Sequence, residues 1–184
     1  MRLRANCRRD YRAAHDSGTI PGRPIDWVVL HSAEAPSALA VARWFADPRS
    51  GGSTQLCVDA DFCFRTLPDD AIPWAAPNAN TRGVHIEQAG YARWTRRTWR
   101  RNGRIIRRAA FKTAQTCKRH RIPVRFIDAD GLASGRCGIT THAEVSKWSA
   151  TAGLPGDHSH TDPGRGYPIR AFLFLTRLYR RSIR

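Results

Sequence analysis

Trp27-Val28-Val29-Leu30 is the stretch that most limits what this chain can become. With no polar side chain among its four residues, the run fits a short strand buried on both faces. It leads straight into His31 and the small polar segment Ser32-Ala33-Glu34. A histidine therefore stands at the end of a buried strand, where sheets commonly present functional groups. Satisfaction by a backbone carbonyl is the commoner fate of such a histidine, and the strand alone does not decide between the two.

Other segments extend the pattern. Gly83-Val84-His85-Ile86-Glu87-Gln88 alternates as a strand should, placing Val84, Ile86 and Gln88 on one face and His85 with Glu87 on the other. Residues 54–58 and 62–66 flank Asp59-Ala60-Asp61 as a hairpin whose turn lacks the favoured glycine. Val124-Arg125-Phe126-Ile127 reads as a short strand closed by Asp128-Ala129-Asp130-Gly131, and residues 138–141 as another that runs into His142. Helices are expected over 37–45 behind a serine cap and ended by Asp47-Pro48, from Ala143 onward, and from Pro168 to about Arg181 with proline at the first position. Between them Ile105, Ile106, Ala109, Ala110, Thr113, Ala114 and Cys117 form one helical stripe, with Arg104, Arg107, Arg108, Lys112, Lys118 and Arg119 mostly opposite. Residues 1–22 read as a basic extension anchored by Tyr11 and Ile20, and residues 23–184 as one domain without repeat or dividing linker.

Composition enters through charge. Lysine and arginine number 31 against 15 acidic residues, a net +16 that points to a polyanionic partner: nucleic acid, an anionic membrane or an acidic wall polymer. From Trp94 to Trp99 two tryptophans enclose Arg96 and Arg97, a mixture of aromatic and arginine residues that suits stacking on sugars or bases as well as capping a core. No recognised nucleic-acid motif accompanies the charge, which makes that partner the weaker reading. The five cysteines, at 7, 57, 63, 117 and 137, are odd in number and show no CxxC spacing, so they read as buried free thiols. The basic amino-terminal stretch has no apolar core of the secretory kind, and Ala171-Phe172-Leu173-Phe174-Leu175 is too short to span a bilayer. The expectation is a protein made in the cytoplasm without a signal peptide.

A final cluster, His158-Ser159-His160-Thr161-Asp162-Pro163-Gly164, gathers two imidazoles and a carboxylate into a turn. Neutral imidazole and carboxylate are ligands zinc accepts, although a loop of this composition is most often a solvated turn.

Four segments, in order, resemble the zinc-dependent N-acetylmuramoyl-L-alanine amidases of the type 2 family, which includes phage endolysins and animal peptidoglycan recognition proteins. They are Trp27-Val28-Val29-Leu30-His31-Ser32, Asn80-Thr81-Arg82-Gly83-Val84-His85-Ile86-Glu87, Gly138-Ile139-Thr140-Thr141-His142 and His160-Thr161-Asp162-Pro163-Gly164. The resemblance spans roughly residues 24–175 and looks nearest to the endolysins of phages that infect actinobacteria. It implies an α/β fold with a mixed central β-sheet of about five or six strands flanked by helices. It also implies zinc held by His31, His142 and Asp162, with the fourth position left for water. Glu87 would be the general base, and His160, where relatives often carry lysine, an oxyanion donor whose charge depends on pH near neutrality. His158 falls back to a solvent-facing or outer position.

The implied substrate is peptidoglycan, cut at the amide between N-acetylmuramic acid and L-alanine after release to the wall, as in host lysis. The basic surface would hold the enzyme near acidic wall polymers, more weakly as salt rises. Two departures stand out: Ala75-Ala76 follows Trp74 where many relatives have histidine, and Thr54 replaces a catalytic tyrosine of some phage enzymes, which leaves Glu87 as the base. The alternative is a non-catalytic peptidoglycan-binding module of the same fold; retention of His31, His142 and Asp162 together favours the enzyme.

Overall fold

In the computed structural model, which describes residues 6–183, the apolar run and the alternating segment become neighbouring strands of one sheet. β1 (Trp27–Ser32) lies between β4 (Gly83–Gln88) and β5 (Gly138–Thr141), both parallel to it. β2 (Leu56–Val58) runs parallel to β4 on its other side, and β3 (Cys63–Arg65) closes that edge antiparallel, giving the order β3-β2-β4-β1-β5. The mixed, five-stranded sheet agrees with the expected fold class.

Helices cover both faces, as buried parallel strands require. Against the first, Val28, Leu30, Val84, Ile86 and Ile139 meet α3 (Gly103–Arg119) and α6 (Ile169–Ser182), with Trp99 of α2 (Arg96–Arg101) and Phe172 fully buried among them. The stripe Ile106, Ala109, Ala110 and Cys117 is this contact. The second face carries Trp27, Val29 and Cys57 toward α1 (Ala38–Ala46), α4 (Ala129–Ala133) and α5 (His142–Thr151). Register fixes the character of this face along its length. Val29 stands beside His85 and His31 beside Glu87, so it turns polar toward the carboxyl ends of β1 and β4.

Local chemistry sets the boundaries. Ser37, Thr95, Asp128 and Thr141 each accept an N–H of the first helical turn through a side-chain oxygen, a cap typically worth about 1 kcal/mol. Asp59 builds the hairpin turn that has no glycine, its Oδ1 accepting from the N–H groups of Asp61 and Phe62. Arg23, 7% exposed, donates to the carbonyls of Asp69, Ala71, Asn80, Thr81 and Gly83, and so ties down the entry to β4.

Several expectations are corrected. Residues 124–127 form no strand; Phe126 makes a single bridge to Ile139, and Asp128-Ala129-Asp130-Gly131 opens α4 instead of a simple turn. Pro168 precedes the terminal helix as its cap. Arg108 and Lys112 are buried, because the flank of α3 lies against the hairpin; the Arg108 guanidinium donates to the carbonyls of Asp59 and Ala60. Burial, then the neighbouring Arg65, Arg108 and Arg119, push the Lys112 ammonium down to about 8. Two of the cysteines are not free thiols: Cys7 and Cys63 form a disulfide that ties the amino-terminal segment to β3, while Cys57, Cys117 and Cys137 are free. Tyr11 packs on Phe64 as an anchor, whereas Ile20 is 53% exposed. Trp99 and Trp94 cap the core with Tyr167, edge to face. No helix among the described residues is long and apolar enough to cross a membrane.

The loop carrying Asp162 is positioned by backbone against backbone. Gly164 has φ +88°, and a Cβ there would collide with the carbonyl group of Ala92. Gly164→Ala is expected to cost about 2 kcal/mol or more, from the left-handed φ and the displaced contact together. Gly135→Ala, with φ +69° but open space around it, should cost only about 1 kcal/mol. Equal losses for the two in thermal melts would show that the contact with Ala92 carries nothing.

Candidate metal centre

Three adjacent strands, β4, β1 and β5, deliver the polar side chains from their carboxyl ends, the usual place for a site in a parallel sheet. His31 is the penultimate residue of β1 and Glu87 that of β4, side by side in register. His142 is the first residue of α5, directly after β5, and the Ala143 N–H donates to the Asp162 carbonyl at 3.0 Å, which draws the Asp162 loop onto the site.

The carboxylate of Asp162 sits between two rings. Its Oδ2 lies 3.2 Å from His31 Nδ1 and its Oδ1 3.2 Å from His142 Nδ1. Glu87 Oε1 is 4.0 Å from the same His31 nitrogen, and Glu87 Oε2 is buried without a hydrogen-bond partner. His160 stacks on His142, ring centroids 3.8 Å apart, at the exposed rim; its Nδ1 is 3.8 Å from Asp162 and its Nε2 3.5 Å from Asp157.

Burial and neighbours separate the two carboxylates. Burial by itself would raise Asp162, but hydrogen bonds from His142 and His31 outweigh it and hold the group well below the usual carboxylate range. Glu87 moves the other way: burial first, then the charges of Asp162 and Glu34, raise it well above that range. Burial likewise lowers His142 below an ordinary imidazole, and lowers His160 with help from His142. Both rings therefore favour the neutral form, the form in which imidazole binds a metal or donates a single N–H.

His31, His142 and Asp162 offer ligand atoms that all lie within 4.8 Å of one another, and all three residues are buried. The 3.2 Å separations are close to the edge of a tetrahedron with ~2.0–2.1 Å bonds, about 3.4 Å. Two imidazole nitrogens and one carboxylate, beside a buried carboxylate oxygen with no partner, fit a divalent cation.

The site opens into a cleft of about 710 Å³, lined by residues that include Trp44, Trp74, Glu34 and Thr54. Trp74 is held upright by a stacked His15 and by a bond from its Nε1 to Ser17 Oγ. The Thr54 hydroxyl points into the protein, donating to the Leu56 carbonyl at 3.3 Å. No lysine or arginine is among the lining residues described, although the chain carries +16 overall.

The structure thus brings together His31, His142, Asp162 and Glu87, sets His160 at the rim and leaves His158 exposed. Sequence reasoning set His85 on one face with Glu87 but gave it no role; it is fully buried, and its Nδ1 is 3.0 Å from His31 Nε2. The alternation puts His85 on the face of Glu87; only the register of β1 against β4 could make it a neighbour of His31.

Comparison with known proteins gives a consistent result. A family model described as N-acetylmuramoyl-L-alanine amidase matches residues 21–165. The hydrolase AmiA of Staphylococcus aureus, solved in complex with its ligand, superposes with a TM-score of 0.70 at 15% identity, covering 95% of this chain and 83% of that one. PlyL gives 0.63 at 13% identity, covering 93% and 96%. A mutant endolysin from Bacillus subtilis gives 0.56 at 17% identity, covering 97% and 99%. At these identities the likeness is one of fold. No curated protein sequence matches the chain.

Proposed function

Because the chain belongs to the N-acetylmuramoyl-L-alanine amidase family, we propose that it hydrolyses the amide between the lactyl group of N-acetylmuramic acid and the L-alanine of the stem peptide, with zinc as cofactor. His31 and His142, each through Nδ1, and Asp162 would hold the ion. When bound, zinc lowers the pKa of a water to about 7 and polarises the scissile carbonyl.

The remaining steps belong to side chains of the cleft. Glu87, beside His31, takes the proton of the attacking water and passes it to the leaving nitrogen of L-alanine. Its raised affinity for a proton, a consequence of burial, suits a group that must hold one between the two steps. His160 at the rim donates an N–H toward the oxygen on which negative charge develops. The exposed faces of Trp44 and Trp74 offer apolar walls to the sugar and peptide. The observation that carries the reading is the convergence of two histidine nitrogens and a carboxylate within 4.8 Å, with a second carboxylate in register beside them.

The same reading assigns the chain the role of a phage endolysin in host lysis, supported by the resemblance of its motifs and by the endolysin among its structural neighbours. Its excess of basic charge holds it to acidic wall polymers, an attachment that weakens with salt. Purified protein is expected to carry about one zinc per chain and to release stem peptides with free L-alanine amino termini from peptidoglycan. Zinc-loaded protein that binds peptidoglycan and leaves it uncut would instead establish a recognition module.

A further inference from the structure

His85 takes no part in the proposed chemistry, yet it is completely buried and its only side-chain hydrogen bond among the described residues is to a metal ligand. We propose that His85 is a positioning residue that sets the tautomer of His31, leaving the Nδ1 lone pair of His31 free for the metal. The inference rests on the zinc reading of the site.

Protons along this row of nitrogens have few places to sit. A neutral imidazole carries one N–H and one lone pair. His31 turns Nδ1 toward Asp162 and Nε2 toward His85 Nδ1, 3.0 Å away. Two tautomeric pairs are possible for this contact: His31 donates through Nε2, or His85 donates through Nδ1. The surroundings of His85 choose between them. Its far nitrogen, Nε2, lies beside the Ala79 carbonyl; a Cβ placed on Gly83 would be 2.7 Å from both atoms.

If His85 donated through Nδ1, its Nε2 lone pair would face that carbonyl oxygen, two acceptors in a dry interior. With the proton on Nε2, His85 faces the carbonyl as a donor and its Nδ1 becomes an acceptor. In the zinc-loaded protein, where His31 no longer donates to Asp162 through Nδ1, its single proton must then sit on Nε2. Its Nδ1 lone pair is left pointing at the space shared with His142 and Asp162. The contact is not a tight hydrogen bond, since His85 Nε2 has no partner of good geometry; the polarity of the neighbour is what selects the tautomer.

The surroundings hold this arrangement still. The backbone N–H of His85 donates to Gln55 Oε1 at 2.8 Å, and Gln55 Nε2 is anchored on the Ala71 carbonyl. The His31 carbonyl accepts from Gln88 Nε2, and Gln88 in turn accepts the hydroxyl of Tyr167. Gly83 leaves the room that the His85 ring occupies.

Two variants separate positioning from packing. His85→Leu keeps most of the volume and removes the acceptor; His85→Asn loses volume and keeps an acceptor where Nδ1 stood. Zinc dissociation constants, measured by competition with a chromophoric chelator, are expected to rise about 10–100-fold for His85→Leu and to stay within about threefold of the parent for His85→Asn. In the zinc-loaded parent protein, ¹⁵N spectra should show His31 protonated at Nε2 and bare at Nδ1. Zinc binding by His85→Leu as tight as the parent's would overturn the inference while leaving the zinc site in place; the opposite His31 tautomer, which has no lone pair on Nδ1, would overturn the inference together with the assignment of that nitrogen as a ligand. A parent protein that binds no zinc overturns the zinc reading, and this inference with it.

Discussion

Asp162→Ala will leave the protein without zinc and lower kcat by about a thousandfold or more, since both the cation and its several kcal/mol of charge stabilisation go. The carboxylate is the one anionic member of the trio and the atom group that both histidines face, at 3.2 Å each. Its loss leaves two imidazole nitrogens, too weak a set to hold a catalytic zinc against water. A second effect belongs to the zinc-free protein. Asp162 is held below the ordinary carboxylate range in the folded state, so the stability it contributes is present above the unfolded pKa of about 3.9 and lost as pH falls through the folded value. Zinc-free Asp162→Ala should therefore melt below zinc-free parent at neutral pH, and the gap should close in acid. Metal content by atomic emission, peptidoglycan hydrolysis and melts at two pH values check the three parts; a variant that keeps zinc and full activity removes Asp162 from the ligand set.

Glu87→Gln is expected to separate activity from metal binding and from stability. The amide keeps the shape of the carboxylate but accepts no proton, so kcat should fall about 10²–10⁴-fold with zinc content unchanged. Stability should move the other way. Burial, Asp162 and Glu34 raise Glu87 in the folded protein, so a neutral Glu87 is favoured by folding. Its contribution is fully present below the unfolded pKa of about 4.3 and is lost as pH rises through the folded value. At neutral pH the zinc-free parent bears the cost of a buried carboxylate that the variant lacks, and zinc-free Glu87→Gln should melt higher. Near pH 4 the two should converge. Undiminished turnover in Glu87→Gln would move the base elsewhere in the cleft.

How much of the fold and the site is legible in the sequence differs from element to element. The alternation over 83–88 places Val84, Ile86 and Gln88 in the core and turns His85 with Glu87 to the other face, because a strand's side chains must alternate. The apolar stripe of α3 is equally plain. Its basic flank is not: Arg108 and Lys112 share the outer side of the helix by periodicity, and only the hairpin lying across them makes that side an interior. Val124-Arg125-Phe126-Ile127 has the residues of a strand but finds a partner at a single bridge, so it stays a loop. Cysteine spacing carries no information about Cys7 and Cys63, which meet across 56 positions because the amino-terminal segment runs along β3, Arg8 bonding to Cys63 and Arg65 through its backbone.

The sequence by itself determined which side chains are able to do chemistry and on which face of a strand each must lie, since both follow from residue type and the twofold repeat of an extended chain. Only the tertiary structure decided which of them meet. His31 and His142 become neighbours because β1 pairs with β5, Glu87 joins them because β4 is in register with β1, and the Asp162 loop arrives because its backbone packs on residues 92–95. Register and loop packing are set by contacts between segments far apart in the chain, and no local pattern encodes them. For the same reason His85 passes as one more residue on a polar face until β1, lying beside β4, gives it His31 as a partner.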